Sequence, residues 1–347
     1  MRQIKHALRS SKAATVVAMV AIGLYALTEF GDHPSYMAAA KLPAGSTSAA
    51  ISNVTNEGKF DIGGIPTPAP RPTSLPEVAQ PDQLTVLAML GSLENASFNL
   101  SAIRGGTDVP RVFVSELPVD IQDVDQVKLK KDLFISVTLP LILEVNDKIR
   151  QERNSLKHLM KLRADGQSWS GEQIAWVGEI AERYKGSITN LEELLTRVDI
   201  IPVSLALAQS IEESGWGTSR FARLGNALYG QRVWAEGKGI VPHERAEGEA
   251  YEVRSFGKLG NSVASYALNL NRHVAYEGFR EGRARLRAAG LEPNGYTLAA
   301  SLLSYSERGE EYVQTLRMLM RVNDLSQFDN AKLAPKQVAQ ASRLSSN

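Results

Sequence analysis

Two adjacent glutamates, Glu212 and Glu213, stand at the end of an apolar stretch and are followed by Ser214-Gly215-Trp216-Gly217. The stretch opens at Ile201-Pro202, and proline suits a first helical turn, where its missing N–H is not needed. Val203, Leu207 and Ile211 fall on one face at helical spacing, while Leu205, Ala206 and Ala208 cover most of the remainder. The spacing therefore predicts a helix apolar nearly all round, hence buried, that ends at Gly215. Burying a carboxylate at such a helix end costs free energy, and desolvation raises its pKa. A glutamic acid kept partly protonated near neutral pH is the group a glycosidase needs to protonate a departing sugar oxygen. Glu213 falls on the Ala206 and Ser210 side, where small neighbours leave room for a substrate. Glu212 lies nearer Leu205 and Gln209 and suits a solvated position. Adjacent glutamates at a helix end also suit plain surface charge, so the helix alone leaves both readings open.

The residues that follow add to this. Gly215-Trp216-Gly217-Thr218-Ser219 is a tight aromatic turn in which glycine permits backbone angles that other residues avoid. Gly225-Asn226-Ala227-Leu228-Tyr229-Gly230 places a second aromatic between glycines. The string LALAQSIEESGWGTSRFARLGNALYG resembles the signature of bacterial endo-β-N-acetylglucosaminidase domains of glycoside hydrolase family 73. The resemblance runs from about Ile201 to Leu325. Upstream, VPRVFVSELPVDIQDVDQVKLKKDLFISVTLPLILEVNDKI is similar to the N-terminal half of bacterial Bax-type proteins, which carry this domain.

The resemblance implies a mainly α fold, a lysozyme-like α-lobe with a small β-hairpin lobe across a cleft. It implies that Glu213, in the E-S-G-W-G motif, is the general acid. Asn226, Tyr229 and Gly230 match the N-x-L-[FY]-G motif that lines the family's cleft. Tyr305 and Tyr312 match a pair of tyrosines written Y-A-T-D-P-x-Y, the second facing the catalytic site. Here the spacing is longer by one residue and the proline is missing, which weakens the match at Tyr312. Core packing is the alternative for Tyr229 and Tyr312, and a packed turn outweighs sugar stacking for Trp216.

Many glycosidases pair the acid with a second carboxylate, which the family places on the hairpin lobe. The hairpin candidate is 239–256, with Ile240 and Val241 in one strand, Tyr251, Val253 and Phe256 in the other, and a turn at Glu247-Gly248. Glu244 matches the family position by order, and Glu252 is the next candidate. A third possibility needs no second carboxylate, because a 2-acetamido substrate can assist its own hydrolysis. The implied substrate is the glycan strand of peptidoglycan.

Several further elements must position these groups. Leu133, Val137, Leu141, Val145 and Ile149 recur every four residues, a helical stripe interrupted by Pro140, which is expected to kink it. Ser168 or Ser170 is placed to cap a second helix through Ile174, Val177 and Ile180. Ser187 or Thr189 opens a third, through Leu191, Leu194 and Leu195. Arg272, Arg280, Arg283 and Arg285 form a basic cluster that reads as a solvated helix face, with contact to acidic peptide stems of the wall as the alternative.

The chain has 347 residues with 39 basic and 38 acidic side chains, a balance that argues against a nucleic-acid binder. It has no cysteine, which excludes disulfides and thiolate sites. The five histidines show no metal-ligand spacing, so neither metal nor cofactor is expected. Arg2, Lys5, Arg9 and Lys12 precede an apolar run from Ala13 to Leu27, which reads as an uncleaved signal anchor holding the protein to the inner membrane and facing the periplasm. The expected organisation is then an anchor at 1–40, a Pro/Gly-rich and weakly ordered linker at 41–108, a helical segment at 109–196, the glucosaminidase-like domain at 197–325, and a flexible tail at 326–347.

Overall fold

The computed structural model describes residues 83–243 and 249–336. The expected anchor, most of the linker, Glu244, the Glu247-Gly248 turn and the end of the tail lie outside the described residues. Among the described residues, no helix is long and apolar enough to cross a membrane.

The longest element is α3, Val127–Ala164, preceded by α1 (Val86–Asn95) and α2 (Leu100–Arg104). Helix α3 continues through Pro140, and every residue from Leu133 to Leu143 is buried. Its C-terminal half is one-sided and buries Val145, Ile149, Leu156 and Leu159, with Lys161 and Arg163 in the last turn, where cations suit the helix dipole. Around that half pack α4 (Gly171–Tyr184) and α5 (Leu191–Arg197), with Val177, Ile180, Tyr184, Leu194 and Val198 as a small core of their own. Ser170 starts α4 with a capping box, its hydroxyl on Gln173 N and the Gln173 side chain on its own N–H. Helix α5 is capped by Asn190, not by Ser187 or Thr189.

The buried half of α3 meets α6 (Val203–Ser214) and α8 (Leu259–Arg272). Helix α6 is the apolar helix foreseen around Glu213, and among its twelve residues Glu212 alone is not buried. After it come α7 (Arg220–Gly225) and a small antiparallel sheet of β1 (Arg232–Val233), β2 (Gly239–Ile240) and β3 (Glu252–Arg254). The strand order is β1-β3-β2, with Ile240 and Val253 in paired strands as the hairpin reading placed them, and Arg232–Val233 added as a strand that reading lacked. Three more helices complete the fold: α9 (Glu277–Ala288), α10 (Gly295–Leu298) and α11 (Glu310–Val322).

Three expectations are corrected. Residues 83–107, read as the weakly ordered end of a linker, form α1 and α2, capped by Thr85 and Asn99, with Met89 and Ile103 in the core. Short helices carry too few turns for periodicity to show. The tail begins later than 326, since Phe328 is fully buried and Val109 pairs with Leu333 in a parallel bridge. The arginine run is only partly a solvated face. Arg280 and Arg283 are buried, and Arg283 donates to the carbonyl oxygens of Thr196, Asp199 and Ile200, whereas Arg285 points outward. One apolar cluster runs from Met89 to Leu333, so the segment 109–196 and the domain 197–325 share a core. The described residues from Leu84 onward belong to one compact unit.

Candidate active site

The site is built at the C-terminal end of α6. Gly215, Trp216 and Gly217 follow it with φ of +57°, +59° and +78°, three successive left-handed residues. A Cβ on Gly217 would lie 3.0 Å from both Leu117 and the Phe134 ring, so glycine is required there by space as well as by φ. Ser214 locks the turn, donating to Ser210 O at 2.5 Å and accepting from Gly217 N at 2.9 Å. Trp216 bears the strain of its left-handed backbone while packing edge-on against Phe134 of α3 at 6.0 Å, with the Lys131 ammonium over its ring. It is thus a packed turn on the long helix.

Glu213 is 5% exposed. Desolvation pushes its carboxyl up to about 8; the Tyr312 hydrogen bond and the Arg308 charge oppose that rise, while the neighbouring Glu212 adds to it. Tyr312, in the first turn of α11, donates its phenol proton to Glu213 Oε1 at 2.9 Å. The Glu212 carboxylate turns aside to pair with Arg308. A carboxyl that keeps its proton at neutral pH, held by one directed donor, has the properties of a general acid.

Four tyrosines surround it. Tyr305 stacks on Tyr312 at 5.5 Å and 6°, and Tyr229 stacks on Tyr266 at 3.8 Å and 3°. Burial pushes all four phenols above the ordinary tyrosine range, and the Glu213 charge adds to the rise at Tyr266, Tyr305 and Tyr312. None is more than 2% exposed, so they back the carboxyl and present no open ring face. Gly230 follows Tyr229 with φ +57°, and Asn226 caps α7 in a left-handed conformation. The Asn226 side-chain amide donates to Phe256 O at 3.0 Å, tying the α7 end to the chain beyond β3.

The structure thus gathers Glu213, Tyr229, Tyr305 and Tyr312, and directs Trp216 towards α3. Glu252 is 6% exposed, and its two carboxylate oxygens accept from Gly237 N at 3.0 Å and Gly239 N at 2.7 Å, closing the turn before β2. Glu244 lies outside the described residues. Sequence reasoning missed Gln209 and Tyr266. Gln209 was grouped with Glu212, yet it lies one turn before Glu213 and donates to Tyr312 Oη at 3.0 Å, while Tyr266 donates to Gln209 Oε1 at 2.6 Å. Its i, i+4 spacing to Glu213, on a helix otherwise almost wholly apolar, is a readable signal.

The chain is similar in sequence to known proteins. Residues 188–325 match the Glucosaminidase family model, described as mannosyl-glycoprotein endo-beta-N-acetylglucosaminidase. Protein bax of Escherichia coli (strain K12) is 36% identical over 204 residues, covering 57% of this chain and 71% of that protein. Among solved structures, the catalytic domain of the autolysin Auto from Listeria monocytogenes aligns over 49% of this chain and 97% of its own, at 18% identity and a TM-score of 0.29.

Proposed function

The chain belongs to the family of protein bax, with a glucosaminidase domain, and on that premise we propose that it hydrolyses β-1,4 glycosidic bonds in the glycan strand of peptidoglycan, at N-acetylglucosamine. The observation that carries the reading is Glu213, a desolvated carboxyl that accepts a hydrogen bond from Tyr312. In the proposed reaction Glu213 gives its proton to the bridging oxygen as the C1–O bond breaks. The oxocarbenium-like centre is met by the oxygen of the substrate's own 2-acetamido group or by a hairpin carboxylate. Water then attacks C1 and returns a proton to Glu213. Because two backbone amides already engage the oxygens of Glu252, the acetamido group or Glu244 is the better partner. Asn226, Tyr229, Gly230, Tyr305 and Tyr312 set the shape of the cleft wall behind and beside the acid, while Trp216 holds the turn after it on α3. The basic and apolar N-terminus holds the enzyme to the inner membrane with the domain in the periplasm.

Mass spectrometry of peptidoglycan digested by the protein, beside a Glu213→Gln control, tests the reading. Reducing N-acetylglucosamine ends, absent from the control, are expected. Reducing muramic acid ends would move the cut to the other linkage, and anhydro ends would make the protein a lytic transglycosylase. No release from either protein would favour a wall-binding protein that retains the cleft.

A further inference from the structure

Gln209, Tyr266 and Tyr312 form a buried chain of hydrogen bonds that ends on the acid. Tyr266 Oη donates to Gln209 Oε1 at 2.6 Å, Gln209 Nε2 donates to Tyr312 Oη at 3.0 Å, and Tyr312 Oη donates to Glu213 Oε1 at 2.9 Å. Neither Gln209 nor the two tyrosines are more than 1% exposed, so water does not complete the chain from outside. The three groups come from α6, α8 and α11, and no stretch of local sequence brings them together.

Such a chain has a direction. Each phenol has one proton, and an amide presents an acceptor on one side and donors on the other. The reverse order would run from a protonated Glu213 Oε1 to Tyr312, from Tyr312 to Gln209 Oε1, and from Gln209 Nε2 to Tyr266. It would satisfy every member but the last. Among the described residues the Tyr266 hydroxyl has no second acceptor, so reversal strands a buried O–H, which is costly. The Tyr266 proton therefore sets the amide, and the amide sets the Tyr312 proton. With Tyr312 donating, Glu213 Oε1 is held as an acceptor.

We propose that Gln209 and Tyr266 are positioning residues which, acting through Tyr312, keep the transferable proton of Glu213 on Oε2; the proposal rests on reading Glu213 as the general acid. An acid whose proton turned back towards Tyr312 would be protonated yet unable to give the proton to a sugar oxygen. The relay excludes that state. Other charged or titratable groups that bear on Glu213 are Glu212 beside it, Arg308 ahead of α11, and Tyr305 stacked on Tyr312. None of them contacts Gln209 or Tyr266 by a hydrogen bond among the described residues.

The test is an infrared titration of the Glu213 carboxyl in the full chain, isolated by subtracting the Glu213→Gln spectrum, in wild type, Tyr266→Phe and Gln209→Met. Tyr266→Phe keeps the ring stacked on Tyr229 and removes only the hydroxyl. It frees the reversed chain, which binds the proton on Oε1. The midpoint should rise by about one pH unit, a tenfold gain in proton affinity, with the carbonyl band shifted. On soluble glycan strands kcat should fall roughly tenfold, part of the ~10²–10⁴-fold that a positioned acid contributes, with KM unchanged. Gln209→Met, which cuts the chain, should move the midpoint the same way. A wild-type midpoint and band in both variants overturns the relay, and so does a kcat loss without a midpoint shift, which marks a packing role. Full activity in Glu213→Gln would instead overturn the acid assignment, and the infrared midpoints would still report on the relay.

Discussion

Asp329 closes the start of the helix that carries Glu213: its two carboxylate oxygens accept from Ser204 N at 2.8 Å and Ser204 Oγ at 2.9 Å. Pro202, at the N-cap, has no side chain able to do this, so the orphan donors of α6 are met from 125 residues away. Asp329→Ala should lower stability by about 1–2 kcal/mol, as loss of a helix cap does, and the melting temperature by roughly 2–8 °C. Ending the chain after Leu325 removes Phe328 and Leu333 as well and should cost more. Thermal unfolding of both variants checks this, and a truncated chain melting like wild type would show that residues 326–336 do not support α6.

What was legible in the sequence, and what was not, follows from the range of the interactions. The apolar helix ending at Glu213 and the glycine turn after it are local patterns, and they are where the spacing put them. The Ile240–Val253 pairing is nearly local too. Asp329, Tyr266 and Arg283 act across 57 to 125 residues, where no periodicity carries information. Arg283 shows the problem most clearly. Arginines at 272, 280, 283 and 285 read as solvated charge, yet Arg283 is fully buried because the carbonyls of 196–200 need donors.

Glu213→Gln should abolish hydrolysis while leaving the fold intact, and it should change how stability depends on pH. Burial raises the folded-state carboxyl from 4.5 to about 8, so between those values the folded chain holds a proton that the unfolded chain releases. The stabilisation is complete below about 4.5 and is lost as pH rises towards about 8. The glutamine variant has no such loss and should be the more stable protein at pH 8, by on the order of 4 kcal/mol. Wild-type activity should fall as pH climbs through about 8, when the acid loses its proton. Denaturation at pH 5 and pH 8, together with a pH–rate profile, reads both effects; a profile flat to pH 10 would remove Glu213 as the acid.

Arg308 and Glu212 act on Glu213 with opposite signs while pairing with each other. Arg308→Gln alone should move the alkaline limb of the pH–rate profile upward, because a cation favouring the Glu213 carboxylate is gone. Glu212→Gln alone should move it downward. The pair is partly exposed and screened, so each shift should stay below about one pH unit. The double variant should return close to wild type. Two single variants shifting in the same direction would mean that the pair acts by holding the loop before α11, not through its charges.

Asp199 sits 2% exposed among Arg153, Arg283 and Arg287, on the segment that leads into α6. Burial works to raise its carboxyl, but the Arg283 charge, the Arg287 hydrogen bond and the Arg153 charge outweigh it and hold it below the ordinary range. Stability from this group is present above that range and is lost on acidification, the opposite sign to Glu213. Asp199→Ala should therefore cost more than a surface ion pair, about 3–5 kcal/mol, because it strands the buried Arg283 guanidinium. Arg283→Met should be similarly damaging for a different reason, removing the donor to the carbonyls of Thr196 and Ile200 and leaving the Asp199 carbonyl to Asn271 alone among the described residues. Chemical denaturation at neutral pH measures both costs. If kcat per folded molecule stays at the wild-type value in each, the cluster supports the helix without touching the chemistry. If kcat falls while the fold persists, the cluster also sets where α6 delivers Glu213.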